Sequence, residues 1–130
     1  MSQNTEAVRR AWAAINVGDD EVILGLFAPD AEYQVLDEHP ESRTCRGSDQ
    51  IRAYFATWRS EFRDLRFEIE ELVERGDRVI AFGNMRAVGA GSGLDVGNQV
   101  AFVYRFHLGH IVRAEEYLDL ARARKAAGWL

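Results

Sequence analysis

Residues 65–88 read LRFEIEELVERGDRVIAFGNMRAV. From Leu65 to Arg75, Phe67, Ile69 and Val73 alternate with Arg66, Glu68 and Glu70. A period of two is the signature of a strand with one buried face. Gly76-Asp77 provides a tight hairpin turn, and Arg78 to Val88 runs back from it. The pattern then repeats. Glycines at 89, 91 and 93 make a second turn, Val96 to His107 a long strand, Leu108-Gly109-His110 a third turn, and Ile111 to Leu120 a last strand. Successive hairpins predict an antiparallel sheet.

Upstream the period changes to that of helices. Val8, Ala11, Trp12 and Ile15 share one helical face, with Asn4 or Thr5 able to cap its start and Gly18 its end. Asp19 or Asp20 caps a short second helix carrying Ile23, Leu24, Leu26 and Phe27, stopped by Pro29-Asp30. Ala31 to Asp37 reads as a strand, with Tyr33 and Val35 opposite Glu32 and Gln34. Glu38 to Arg46 is a polar loop. Gly47-Ser48 opens a third helix with the stripe Ile51, Tyr54, Phe55, Trp58 and Phe62. Helices first and strands after them define an α+β fold: a curved antiparallel or mixed sheet covered on one face by three helices.

The chain has 130 residues, 47% hydrophobic and 28% charged, which fits one globular domain over residues 1–130. Its net charge of −5 disfavours nucleic acid as a partner. No apolar run is long enough to span a bilayer, so no membrane association is expected. The start, MSQNTEAVRR, has no signal-peptide core, and Cys45 is the single cysteine; both fit a cytoplasmic protein. His39, His107 and His110 show no zinc spacing, and the glycines at 89–93 form no nucleotide loop, so neither metal nor cofactor is expected.

The last strand carries the sharpest chemical signal. Its even positions, Val112, Ala114, Glu116, Leu118 and Leu120, are apolar except for Glu116. A carboxylate on a core-facing stripe is unfavourable without a partner or a cavity, and burial would raise its pKa toward the range useful for acid–base catalysis. The bland reading is a Glu paired with an Arg or Tyr for structural reasons. Small residues on one face of the preceding hairpin (Ala81, Gly83, Met85, Ala87) leave room for a pocket lined by Trp12, Phe55 and Trp58. Val100, Phe102, Tyr104 and Phe106 share a face of the long strand; Tyr104 offers a hydroxyl to a ligand, or is a satisfied core Tyr. Asp37, beside His39, lies on the Tyr33/Val35 face near the pocket mouth. Glu116 and Asp37 are thus the catalytic candidates. Trp12, Tyr33, Phe55, Trp58, Met85, Phe102, Tyr104 and Leu118 are the candidate lining of a small, mostly apolar site.

Several stretches resemble the SnoaL-like branch of the nuclear transport factor two-like superfamily, which includes ketosteroid isomerases. They are AAINVGD at 13–19, LFAPDA at 26–31, RGSDQI at 46–51, GHIVR at 109–113 and EYLD at 116–119. The resemblance implies a cone-shaped domain enclosing a pocket. It also implies what is missing. Ketosteroid isomerases place a Tyr, a basic Asp and an Asp donor where Ala11, Val35 and Phe102 stand here. Limonene epoxide hydrolases place an Arg and an Asp where Gly83 and Met85 stand. Only the last-strand acid of those hydrolases, and of SnoaL-like polyketide cyclases, has a counterpart, Glu116.

Three functions follow as expectations. The first is an isomerase, cyclase or hydrolase of a small hydrophobic molecule, with Glu116 moving a proton. The second is a non-catalytic binder of such a molecule. The third is a dimeric interaction domain. A homodimer is expected in any case, because Ile80, Phe82, Val88, Ala101 and Val103 face away from the helices and would form an exposed apolar patch.

Overall fold

The structure, a computed structural model, describes residues 2–35, 43–117 and 120–126. The expected features at Asp37, His39 and Leu118 lie outside the described residues.

Helix α1 (Gln3–Val17) starts earlier than the cap candidates Asn4 and Thr5 suggested: Ser2 is the N-cap and its hydroxyl accepts from the Thr5 amide. Gly18, at φ 75°, ends it in the left-handed conformation that glycine adopts without penalty. Asp19 caps α2 (Asp20–Gly25). Strand β1 (Phe27–Val35) begins sooner than its alternation suggested, so Phe27 belongs to the sheet. A short strand, β2 (Arg43–Arg46), occupies the end of the expected polar loop. Then follow α3 (Gly47–Glu61), β3 (Phe62–Arg75), β4 (Arg78–Gly89), β5 (Asp95–His107), β6 (His110–Tyr117) and α4 (Leu120–Ala126).

The six strands form one mixed sheet in the order β2-β1-β6-β5-β4-β3. All pairs are antiparallel except β1 with β6, whose parallel pairing returns the chain's end to its beginning. Helices α1, α2 and α3 lie on the inner face, giving the α+β cone. Asn16 clamps α1 to β3 by bonding both the amide and the carbonyl of Phe67. Arg59 of α3 bonds the Ile15 carbonyl and the Asp20 carboxylate, tying the three helices together.

Two bulges change which side chains face inward. In β3 the register shifts between Ile69 and Glu71, so Leu72 packs against the core and Val73 pairs with Ile80 on the outer face. Strict alternation had placed Val73 inward; one extra residue reverses the parity. In β6 the register shifts near Val112, so Ile111 is buried inside, and even parity resumes at Ala114 and Glu116.

The outer face corrects a further expectation. Ile80, Phe82, Ala101 and Val103 do lie opposite the helices, but α4 covers them. Ala123, 0% exposed, and Leu120 pack onto this patch with Tyr117, and the Arg124 guanidinium sits 5.0 Å above the Phe82 ring. Among the described residues a fourth helix, α4, thus joins the three expected on the inner face and packs on the outer one. Of the apolar residues expected to be exposed there, Ile80, Phe82, Ala101 and Val103 are covered by the chain's own helix, and Val88 is half-buried.

Candidate functional site

The inner face carries an in-register row in which Val35 of β1, Glu116 of β6, Phe102 of β5 and Ala81 of β4 stand side by side. Glu116 is the one charged residue among these four. The next row places Tyr33, Ala114 and Tyr104 together. The small side chain of Ala114 leaves room for the Tyr33 ring to reach diagonally toward Glu116.

Glu116 is half-buried, and its partners come from other elements. The Tyr33 hydroxyl donates to Oε1 at 3.1 Å and the Tyr54 hydroxyl of α3 donates to Oε2 at 3.1 Å. Two phenols therefore hold one carboxylate from two sides. Tyr33 is 3% exposed. Burial pushes its phenol well above the ordinary value, and the Glu116 charge pushes it further. Tyr33 is consequently a neutral donor across the physiological range.

Tyr54 was missed as a site residue, although it was read as part of the α3 stripe. It is the one member of that stripe with a hydroxyl, a signal of the same kind as the one that singled out Glu116.

A second polar link lies nearby. Trp12, 1% exposed, donates its indole N–H to the Tyr104 hydroxyl at 2.8 Å. Burial raises the Tyr104 phenol, outweighing the Trp12 hydrogen bond that favours the phenolate. Tyr104 is therefore a core Tyr with a satisfied hydroxyl.

The aromatic residues expected to line a pocket mainly fill the interior. Trp12 packs edge-on against Phe67 and Phe102 at centroid distances of 5.3 and 5.6 Å. Phe55 meets Tyr33 edge-on, and Trp58 stacks on Phe67 and touches Tyr54. The cavity among Ala11, Ile15, Phe27, Tyr33, Phe55 and Phe102 measures about 10 Å³, the space of a single water. The room expected above Gly83 is taken up as well. A Cβ at Gly83 would collide with the Glu68 carbonyl oxygen and come within 2.9 Å of the Trp12 ring. Met85 is half-buried against the core and pairs with Phe67 and Asn98, away from Glu116. Among the expected lining residues, Tyr33 and Phe102 adjoin Glu116, Tyr104 stands one row away, near enough for the Glu116 charge to raise its phenol further, and Trp12 and Met85 lie elsewhere in the core. An open groove of about 270 Å³ does reach this region, lined by Thr44, Cys45, Gln50, Ala53, Tyr54 and Thr57 between β2 and α3.

The described residues contain no group of three or more His, Cys, Asp or Glu able to hold a metal ion. No helix among them is long and apolar enough to cross a membrane.

Comparison with known proteins agrees with this architecture. The SnoaL-like domain profile matches residues 8–114, and the chain belongs to that family. A protein of unknown function from Burkholderia pseudomallei K96243, with the nuclear transport factor two-like fold, is similar at TM-score 0.83 and 25% identity, covering 96% of this chain and 97% of its own. A protein of the same fold from Burkholderia thailandensis E264 reaches TM-score 0.81 at 26% identity, with 98% of both chains covered. TerC, crystallised with polyporic acid, reaches 0.81 at 24% identity, covering 95% of this chain and 97% of its own. None of the curated proteins matches the chain.

Proposed function

We propose that this chain is an acid–base enzyme acting on a small, mostly apolar carbonyl compound, with Glu116 as the base. One observation carries the reading: a half-buried carboxylate, alone in an otherwise apolar row, is held by two phenol donors from separate elements. A charged group in such a row is unfavourable unless it is hydrogen-bonded, and one of its two donors, Tyr54, also lines an open groove from which it can serve a substrate. TerC, of the same fold, was crystallised with a small organic molecule, which supports a small-molecule substrate.

The chemistry follows from the donors. Glu116 takes a proton from the carbon beside the substrate carbonyl, leaving an enolate and a neutral carboxylic acid. Tyr54 lines the groove and turns its hydroxyl from Glu116 to the developing oxyanion. Tyr33, buried, keeps its hydrogen bond to the carboxyl group and fixes its orientation. Return of the proton to another carbon gives isomerisation; attack of the enolate on a second carbonyl within the substrate, with the Glu116 proton passed to the alkoxide so formed, gives cyclisation. The ketosteroid constellation is absent, since Ala11, Val35 and Phe102 offer neither base nor donor, so standard ketosteroids are not the substrate.

The near-complete filling of the interior favours a second reading, in which Glu116 is a structural anchor for Tyr33 and Tyr54. Substitution separates the two. Glu116→Gln keeps the shape and removes the base, so on any substrate found by screening it should lower turnover about a hundredfold or more in the enzyme. In the anchor reading it changes stability and no activity exists to lose.

A further inference from the structure

One row of the sheet's outer face has an unusual charge pattern. In register across all six strands stand Arg46 of β2, Glu32 of β1, Arg113 of β6, Arg105 of β5, Arg78 of β4 and Arg75 of β3. Paired residues in a sheet point to the same face, so five guanidiniums and one carboxylate share a single line. Like charges directly opposite one another on adjacent strands are destabilising. The chain as a whole carries −5, which makes the concentration of cations here more pronounced.

Glu32 neutralises one end. Its Oε1 accepts from Arg46 at 3.0 Å and its Oε2 from Arg113 at 3.0 Å. Arg113 also lies 3.7 Å from Glu115. The middle of the row has no such compensation: among the described residues, neither Arg78 nor Arg105 has an ion-pair partner, and the nearby turn residue Asp77 forms no ion pair. Arg105 is exposed and Arg78 half-buried, so both heads can reach a ligand. Directly beside them, one pleat along each strand, α4 covers Ile80 and Val103.

We propose that this arginine row is a docking seat for an acidic α-helix of a partner protein. The spacing selects the occupant. Adjacent strands lie about 4.8 Å apart. A helix laid across them presents same-face carboxylates every 4.5 to 6 Å, roughly, at i+3 and i+4. An extended peptide repeats on one face only about every 6.8 Å. A long polyanion would run beyond the row, whose last strand, β3, is the edge of the sheet, and the chain's net charge of −5 opposes it there. A helix of a few turns stays within the row.

The test uses the full chain and three dye-labelled probes, read by fluorescence anisotropy at low and at physiological salt. One peptide is helical with Glu at i, i+3 and i+7 on one face. The second has the same composition with Glu distributed around the helix. The third probe is a single-stranded oligothymidylate of equal net charge. The one-face peptide should bind roughly tenfold or more tighter than either other probe, and Arg78→Glu/Arg105→Glu should weaken it by roughly tenfold or more. The neutral variant Arg78→Gln/Arg105→Gln relieves like-charge repulsion, so it should keep or raise the melting temperature while also losing affinity. Unchanged affinity in both variants overturns the proposal. Equal binding of the two peptides removes the helix register and overturns it too. Equal or tighter binding of the oligothymidylate makes the row a nucleic-acid seat and likewise overturns it.

Discussion

Tyr33→Phe probes the site with least disturbance. The ring stays, with its edge-on contact to Phe55, and one oxygen is lost. That oxygen donates to Glu116 at 3.1 Å. A hydrogen bond to a charged group contributes about 1.5–3 kcal/mol. The length is greater than the 2.5–2.7 Å or so of the strongest hydroxyl–carboxylate bonds, which places this one near the lower end, about 1.5 kcal/mol. For a chain of this size that corresponds to a fall of about 6 °C in melting temperature. The mechanism is tested by coupling. In a Glu116→Gln background the charge-assisted part is gone, and removing the Tyr33 hydroxyl should matter by only about 0.5 kcal/mol. Urea denaturation of the four proteins of this double-mutant cycle should give a coupling of about 1 kcal/mol, above the roughly 0.3–0.5 kcal/mol scatter of independent sites. If Tyr33→Phe is neutral and the two changes are additive, the phenol does not hold the carboxylate and the reasoning fails.

Three further outcomes follow. Burial raises the phenols of Tyr33, Tyr104 and Tyr117, the last to about 12; the folded chain therefore keeps protons that the unfolded chain loses above about pH 10, so stability is fully present below that pH and falls above it, by at most about 4 kcal/mol per pH unit for three groups. Denaturation at stepped alkaline pH checks this, and Tyr104→Phe should reduce the slope; a flat stability curve to pH 12, roughly, would count against it. Gly83→Ala drives a methyl into the Glu68 carbonyl and the Trp12 ring and should destabilise by about 1–3 kcal/mol, where a thermal melt equal to wild type would show that β3 and β4 are not so close. Ala123→Glu places a charge against Ile80, Phe82, Ala101 and Val103, so α4 should undock and light scattering should report stronger self-association than in wild type; no change in mass or stability would mean that α4 does not cover this face.

Much of this architecture was legible in the sequence because it rests on simple periods. The α1 face, the Gly76-Asp77 turn and the inward parity of Glu116 follow from spacing alone. The failures have local physical causes. A bulge after Ile69 reversed the parity of Val73, and nothing in alternating glutamates announces a bulge. Leu120 continued the β6 alternation and was read as strand, yet Leu120 and Ala123 are spaced i and i+3 among strong helix formers, so α4 was available to a reading by propensity. Its omission left the outer face bare in the sequence reading, although α4 covers Ile80, Phe82, Ala101 and Val103. The small residues of β4 were read as a cavity floor, whereas Gly83 is small because Glu68 and Trp12 approach it so closely. The phenol partners of Glu116 come from β1 and α3, more than 60 residues away in the chain, which no local pattern could join to it.

The most direct measurement of the central claim is carbon-acid exchange. Wild type and Glu116→Gln would be incubated in heavy water with a panel of aryl ketones and 1,3-diketones, and deuterium uptake beside the carbonyl followed by proton NMR. Wild type should accelerate uptake above the buffer rate for at least one compound, and Glu116→Gln should lower that enzymatic rate about a hundredfold or more while remaining folded. Absence of acceleration across the panel, or an undiminished rate in Glu116→Gln, would contradict the assignment of Glu116 as the base.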